Sequence, residues 1–328
     1  MKQAKIFSII VVITLGLYGL VGFYYLPLAS FEGTLTRMAM LPESDFGWTK
    51  AQPTIDSKFM GSASWDDADV LAIGDSFTYA QIWQTELTRH GLHVRTETWE
   101  GIANICGDFS NWLREKGFRG KYVVIESAEM YFENRIAKSV SCDKTRIHQI
   151  AEIHVQSPIT LPDRQHLDYS GQLSVGIQTK LNDVRYDQLN KKQDFKSWAV
   201  SKDVRLQRLD NGCSLFSHLR CMDVLFYTKD RNDDFDETIF KNMEIINYRL
   251  SGYKIIWAVV PDKSTVYLHP DKKFWDEVER KFHAPNILKT FRQAIQRKTI
   301  DLYRGNDTHL STTGYLIMGD AVYQSMRR

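Results

Sequence analysis

The segment from Ile6 to Leu28 constrains the chain most, because its 23 residues include no charged side chain. An α-helix rises about 1.5 Å per residue, so this segment is long enough to cross a hydrocarbon core of about 30 Å. The apolar region of a secretory signal peptide is usually shorter, at about 7–15 residues. The segment therefore predicts a retained transmembrane signal anchor within residues 1–30. Cleavage as a signal peptide is the alternative.

The basic residues beside this segment predict its orientation. Lys2 and Lys5 precede the segment, and Arg37 is the only basic residue that follows it closely. Positively charged flanks tend to stay in the cytoplasm. The sequence therefore predicts a cytoplasmic N-terminus, with the rest of the chain on the other side of the membrane.

All four cysteines follow the apolar segment. Cys213 and Cys221 bracket a short loop, and Cys106 can pair with Cys142. An even number of cysteines in an oxidising compartment favours two disulfides. The alternative is four buried free thiols. The sequence contains no C-x-x-C motif and no His-rich pair, so no metal site is expected.

The charge balance bears on possible partners. Lys and Arg together number 42 and Asp and Glu 40, which gives a formal net charge of only +2. Such a chain has no strong overall field to attract a polyanion. The sequence also contains no nucleic-acid-binding motif, so no nucleic-acid partner is expected.

Apolar runs alternate with amphipathic segments after a lead-in over residues 31–66. Strands are predicted at 67–74, 93–101, 120–129, 253–261 and 299–304, and helices at 76–91, 108–118, 236–252, 286–298 and the end of the chain. The strand–helix–strand order favours parallel pairing with right-handed crossovers. The sequence therefore predicts an α/β fold with three α/β/α layers, in which helices cover both faces of a parallel sheet.

This predicted domain spans residues 67–328, and a polar insertion at about 131–232 interrupts it. We expect the insertion to be largely irregular, with one amphipathic helix at 177–190. Its aromatic side chains either line a sugar-binding groove or pack a small local core. Examples are Tyr169, Tyr186 and Trp198.

The stretch "VLAIGDSFT" places Ser76 where the first buried strand ends and a helix begins. In open parallel sheets, functional sites form at this edge. The start of a helix also favours developing negative charge. A serine hydroxyl is a weak nucleophile unless a base, itself held by a third group, takes its proton. Ser76 is therefore a candidate nucleophile, and a plain helix cap is the alternative.

The stretch "NDTHLSTTGY" supplies the base and its partner. Asp307 and His309 follow the last predicted strand, and one short turn can bring the carboxylate to the imidazole Nδ1. Loops that leave parallel strands at the same edge of a sheet can meet, so the imidazole Nε2 can face Ser76. The sequence predicts a Ser76–His309–Asp307 triad. The alternatives are a surface histidine and an aspartate that caps the last helix.

The "GDSFT" and "DTHLSTTGY" motifs resemble those of the SGNH (GDSL-type) hydrolase superfamily. "VVPDKSTVY", from Val259 to Tyr267, resembles more narrowly the alginate O-acetyltransferase group, whose members are membrane-anchored or periplasmic. The resemblance covers roughly residues 65–135 and 235–328. It implies an oxyanion hole formed by the amides of Ser76 and Gly107, with Gly101 as a weaker candidate.

The superfamily's G-x-N-D block is missing here. The corresponding place reads "ESAEMYFEN", where Glu126 or Glu129 either positions substrate or ends the strand. The resemblance implies that the acetyltransferase group lacks this block too. Lys263 and Tyr267, together with Glu129, are the expected substrate-binding residues. A solvated turn is the alternative for Lys263.

The resemblance implies transfer of an acetyl group, through an acetyl-serine, onto the hydroxyls of a polysaccharide outside the bacterial inner membrane. Acetyl-CoA is cytoplasmic, so a membrane-bound O-acyltransferase partner would supply the acetyl group, and no cofactor is expected. With water as the acceptor, the same triad would make a carbohydrate acetylesterase. The non-enzymatic alternative is a polysaccharide-binding scaffold.

Overall fold

The computed structural model describes residues 2–25, 28–29, 33–145, 167–168, 173–192 and 194–328. The chain divides into two compact units. Unit 1 comprises Met1–Thr49, Pro162–Thr228 and Gly305–Asp307, and unit 2 comprises Lys50–Leu161, Lys229–Arg304 and Thr308–Arg328.

The α-helices among the described residues are α1 (Lys2–Tyr25), α2 (Thr34–Ala39), α3 (Glu43–Phe46), α4 (Ser76–Tyr79), α5 (Gln84–Arg89), α6 (Trp99–Ile102), α7 (Phe109–Glu115), α8 (Glu129–Val140), α9 (Leu173–Asn190), α10 (Thr238–Arg249), α11 (Lys263–Tyr267), α12 (Phe274–Phe282), α13 (Ile287–Gln296) and α14 (Thr312–Arg327). The strands are β1 (Leu28–Ala29), β2 (Val70–Gly74), β3 (Val94–Thr98), β4 (Tyr122–Ala128), β5 (Leu167–Asp168), β6 (Ser197–Ala199), β7 (Val204–Arg208), β8 (Asp223–Tyr227) and β9 (Lys254–Val260).

Unit 2 is a mixed α/β unit with a four-stranded parallel sheet in the order β3-β2-β4-β9. Every residue of β2 is buried, which explains its continuous apolar sequence. The register pairs Gly74 with Thr98, and Ala128 with Val260, so the carboxyl ends of all four strands lie along one edge. The predicted parallel sheet is confirmed, and the serine follows one of its two central strands.

The predicted fifth strand at 299–304 is wrong. Positive φ angles at Lys298 (64°) and Asp301 (55°) prevent an extended run there. Tyr303 instead forms an isolated antiparallel bridge with Leu310. The predicted helix at 76–91 is also divided into α4 and α5, and Gln81 between them has a φ of 54°.

The core of unit 2 is built from large apolar side chains on the strands and their flanking helices. Trp83, Trp257 and Phe291 are completely buried within it. Helix α8 packs on α10, and α14 packs on α5 and α13. A disulfide joins Cys106 to Cys142 and confirms the predicted pair.

Unit 1 contains a three-stranded antiparallel sheet in the order β6-β7-β8, where the sequence predicted largely irregular chain. Tyr186 and Trp198 are buried in a small apolar cluster with residues of this sheet, so for these two the local-core interpretation is correct. Tyr169 lies outside the described residues. The predicted disulfide between Cys213 and Cys221 closes the connection between β7 and β8.

Helix α1 is long and apolar enough to cross a membrane. Its segment Gln3–Gly22 has a mean hydropathy of 2.2, and none of its most apolar residues is buried. It fits either a single membrane anchor or a signal sequence. The two disulfides fit an oxidising compartment for the residues that follow.

Candidate active site

Ser76 stands at a tight turn between β2 and α4. It is the first residue of α4, and its side chain is exposed. Asp75, immediately before it, caps the helix, because its Oδ1 accepts a hydrogen bond of 3.1 Å from the amide of Phe77. The turn therefore presents the serine hydroxyl to solvent while the flanking residues face inward.

Beneath this turn, the buried carboxyl group of Glu126 leaves room only for a glycine at position 74. Glu126 Oε2 accepts hydrogen bonds from the Asp75 amide (2.9 Å) and the Thr78 hydroxyl (2.8 Å). A Cβ atom on Gly74 would lie 2.2 Å from the same oxygen. Burial, reinforced by the negative charge of Asp75, raises the pKa of Glu126 well above its usual value.

Asp75 ties the turn to the end of β4. Its Oδ2 accepts hydrogen bonds from the Ala128 amide (2.8 Å) and from Arg135 Nη1 (2.5 Å). Arg135 Nη1 also donates to the Ser127 hydroxyl at 2.8 Å. The sequence alone predicts no role for Asp75 or Arg135. The position of Asp75 directly before the serine could have indicated a structural role, whereas nothing in the sequence indicated one for Arg135.

His309 meets Ser76 directly. Its Nε2 lies 2.7 Å from Ser76 Oγ, although 233 residues separate the two in the chain. The imidazole packs against Phe77, with ring centroids 5.0 Å apart, and its Nδ1 lies 3.4 Å from the Thr308 hydroxyl. A base within hydrogen-bonding reach of a serine hydroxyl can take its proton during nucleophilic attack.

The turn that carries His309 is held by backbone hydrogen bonds. The Arg304 amide donates to the His309 carbonyl at 3.2 Å, and the Ser311 amide donates to the Leu302 carbonyl at 3.0 Å. Ser311 also caps α14 through a side-chain bond to the Gly314 amide. The histidine is thus fixed by the start of the last helix and by the bridge at Tyr303.

Asp307, the predicted third member of the triad, belongs to unit 1. It is almost fully buried, and its Oδ2 accepts a hydrogen bond of 3.4 Å from the Thr34 amide. It precedes His309 by two positions in the chain. The predicted interaction of the Asp307 carboxylate with the His309 imidazole stays a prediction.

The predicted oxyanion donor Gly107 does not fit that role. Its amide donates to the carbonyl oxygen of Cys142 at 3.0 Å, so its hydrogen already has an acceptor. The weaker candidate, Gly101, donates to the Thr98 hydroxyl at 3.2 Å as part of the cap of α6. The Ser76 amide, by contrast, donates to no acceptor among the described residues and can serve an oxyanion.

Glu129 does not present its carboxylate to a substrate as predicted, because its side chain is completely buried. Its Oε2 accepts a hydrogen bond of 2.9 Å from the Asp262 amide, and its Oε1 contacts the Lys272 ammonium. Burial raises the pKa of Glu129, whereas Lys272 lowers it. Glu129 thus links the end of β4 to the end of β9. Glu126 is likewise buried and cannot reach substrate.

Of the other two predicted substrate-binding residues, Lys263 is buried and Tyr267 is half-buried. Lys263 is only 2% exposed, and its Nζ donates to the Arg304 carbonyl at 2.9 Å. The Tyr267 hydroxyl accepts a hydrogen bond of 3.4 Å from the Tyr303 amide. The burial of Lys263 contradicts the solvated-turn alternative, and a substrate-binding role for Lys263 or Tyr267 stays a prediction. Both residues support the segment leading to His309.

Comparisons of the chain with protein-family models, with curated proteins and with solved structures found no match.

Proposed function

We propose that this chain is an O-acetyltransferase of the SGNH type, which moves acetyl groups onto hydroxyls of a polysaccharide outside the cytoplasm. The observation that carries the proposal is the 2.7 Å separation between Ser76 Oγ and His309 Nε2 at the carboxyl edge of a parallel sheet. The motif resemblance to the alginate O-acetyltransferase group supplies the substrate class.

In the first half-reaction, Ser76 Oγ attacks the carbonyl carbon of an acetyl ester while His309 Nε2 takes the hydroxyl proton. The oxyanion that forms accepts a hydrogen bond from the Ser76 amide. The ester bond to the donor's leaving oxygen then breaks, and His309 returns the proton to that oxygen. The product is an acetyl-serine.

In the second half-reaction, a sugar hydroxyl attacks the acetyl-serine and gives its proton to His309. The bond between Ser76 Oγ and the acetyl carbon breaks, and Ser76 recovers the proton. A bound sugar holds its hydroxyl at a high effective concentration and keeps water out, which favours transfer over hydrolysis. Asp307 would hold the imidazolium in place while the proton resides on His309.

The proposed setting is the bacterial inner membrane, with α1 as a retained anchor and the active site in the periplasm. Lys2 and Lys5 on the N-terminal side of the apolar segment support this orientation, and so do the two disulfides. A membrane-bound O-acyltransferase would supply the acetyl group. Protease added to intact spheroplasts should digest the domain, whereas a fully protected domain would contradict the orientation.

We also propose that helices cover both faces of the sheet, giving a three-layer arrangement. Support comes from the two separate sets of packed helices: α8 with α10, and α14 with α5 and α13.

Acetyl transfer can be separated from hydrolysis by product analysis. The full-length chain in detergent is incubated with a small acetyl ester, with and without exopolysaccharide fragments, and the sugars are analysed by mass spectrometry. A Ser76→Ala sample gives the background. We expect fragments of one polysaccharide to gain acetyl groups. If none does, while free acetate forms at an unchanged rate, the chain is an esterase.

A further inference from the structure

Helix α9 has an unusual distribution of side chains. The residues that it buries in unit 1 are mostly small or polar: Gly176, Thr179, Asn182 and Tyr186. Three of its large aliphatic residues are exposed instead, Ile177 by 37%, Leu181 by 59% and Val184 by 54%, whereas Leu173, Val175 and Leu189 are half-buried. An amphipathic helix of a globular protein normally buries such residues.

Specific hydrogen bonds fix which face of α9 is buried. The Asn182 side-chain amide donates to the Ala39 carbonyl at 2.9 Å and accepts from Gln178 at 2.9 Å. The Tyr186 hydroxyl donates to Asp223 at 2.6 Å. Rotating the helix to bury its aliphatic residues would break these bonds and leave buried polar groups unsatisfied. The apolar face is therefore held outward.

The exposed residues form one continuous stripe. Ile177, Leu181 and Val184 follow the i, i+4, i+7 spacing of a single helix face. At about 3.6 residues per turn, Lys180 and Arg185 lie on opposite sides of that stripe, and both are exposed. An apolar stripe with basic side chains on both sides can lie in a membrane interface, because its aliphatic residues then leave water while its basic residues stay at the headgroups.

The position of α9 in unit 1 provides an independent indication. Just after α1, strand β1 pairs with β5, with Leu28 opposite Asp168, and α9 begins shortly after β5 in the chain. Helix α9 also contacts α1, and the Lys180 ammonium lies 5.6 Å from the ring centre of Tyr24, near the end of α1. Lys180, at the side of the stripe, is therefore next to the C-terminal end of α1.

We propose that the exposed face of α9 lies in the interface of the membrane that α1 spans. Ile177, Leu181 and Val184 enter the boundary between headgroups and acyl chains, and Lys180 and Arg185 meet anionic headgroups. Lipid is the favoured occupant because a membrane-spanning α1 brings a lipid surface to this face in every molecule. The proposal needs α1 as an anchor and does not depend on the proposed catalysis.

The test places a spin label on the stripe of the full-length chain in vesicles of phosphatidylcholine and phosphatidylglycerol. All four natural cysteines are in disulfides, so Leu181→Cys creates a unique free thiol. Asn190→Cys is the matched control, because Asn190 is exposed near the opposite side of the same helix. Paramagnetic resonance then measures collisions of each label with oxygen, which dissolves in lipid, and with a water-soluble nickel complex.

We expect a several-fold higher ratio of oxygen to nickel collisions at position 181 than at position 190. Val184→Cys should give the same result as Leu181→Cys, which guards against a misfolded single variant. Equal ratios at 181 and 190 would overturn the proposal. An immobile label at 181 that neither reagent reaches would also overturn it, because a second copy or another protein would then cover the stripe.

Discussion

The Lys263 ammonium donates a hydrogen bond of 2.9 Å to the carbonyl oxygen of Arg304, whose amide in turn donates to the His309 carbonyl. Lys263 begins the helix that follows β9, so these bonds connect the edge of the sheet to the backbone of the candidate base. We therefore expect Lys263 to act as a positioning residue, through the backbone that carries His309.

We expect Lys263→Met to lower kcat by about 10- to 100-fold with little change in KM. A misplaced base loses transition-state stabilisation, and each 1.4 kcal/mol of activation free energy is about a factor of ten. Lys263→Arg keeps a donor and should recover part of the loss. Lys289→Met, at an exposed lysine, is the control. An unchanged kcat in Lys263→Met would show that this bond does not position His309.

The Asp307→Asn substitution tests the third member of the triad. An amide cannot stabilise the imidazolium as a carboxylate does, and it favours the wrong imidazole tautomer, so we expect kcat to fall by about 10³–10⁴-fold at neutral pH. The side-chain oxygen of the introduced asparagine can still accept from the Thr34 amide, so this hydrogen bond is kept. Loss of less than about tenfold would leave Ser76 and His309 as a dyad.

Glu126 should make stability depend on pH. Its pKa in the folded chain is well above the value of about 4.3 expected in the unfolded chain, so the folded state binds more protons between the two values. The free energy of unfolding of the wild type should therefore fall, relative to Glu126→Gln, as pH rises through that window. Urea unfolding in detergent at a series of pH values measures the difference. Parallel pH profiles would contradict the raised pKa.

The two disulfides should contribute unequally to stability. They join residues 36 and 8 positions apart. Loop-closure entropy predicts a stabilisation of about 4 kcal/mol for the longer loop and about 2.5 kcal/mol for the shorter. Replacing both cysteines of each pair by alanine and comparing the urea unfolding curves tests this order. A larger loss from the Cys213–Cys221 pair would contradict the entropic account.

The sequence predicted the elements that short-range patterns encode. Apolar runs located three of the four parallel strands and an alternating pattern located β3, while the "GDS" and "DTH" motifs located Ser76 and His309, which the structure brings together. The spacing of the cysteines suggested both disulfides.

What the sequence could not predict depends on long-range hydrogen bonding and on backbone torsion angles. The sequence of the predicted short strand at 299–304 does not reveal the positive φ at Asp301 that prevents a strand. A glycine in the right place does not reveal that its amide is already bonded, as that of Gly107 is to Cys142. Charged side chains are mostly exposed in proteins, so the sequence predicts that residues such as Glu129 and Lys263 face solvent. Only the hydrogen bonds of the folded chain show that these two are buried and paired.

The most direct test of the account is detection of an acetyl group on Ser76. The full-length chain is incubated briefly with a small activated acetyl ester, quenched in acid and digested, and the peptide containing Ser76 is examined by mass spectrometry. We predict one added acetyl group on Ser76 in the wild type, no acetylation of that peptide in Ser76→Ala, and greatly slowed acetylation in His309→Ala. An unmodified Ser76 while the ester is still consumed, or equal turnover by Ser76→Ala, would contradict the claim that Ser76 is the nucleophile.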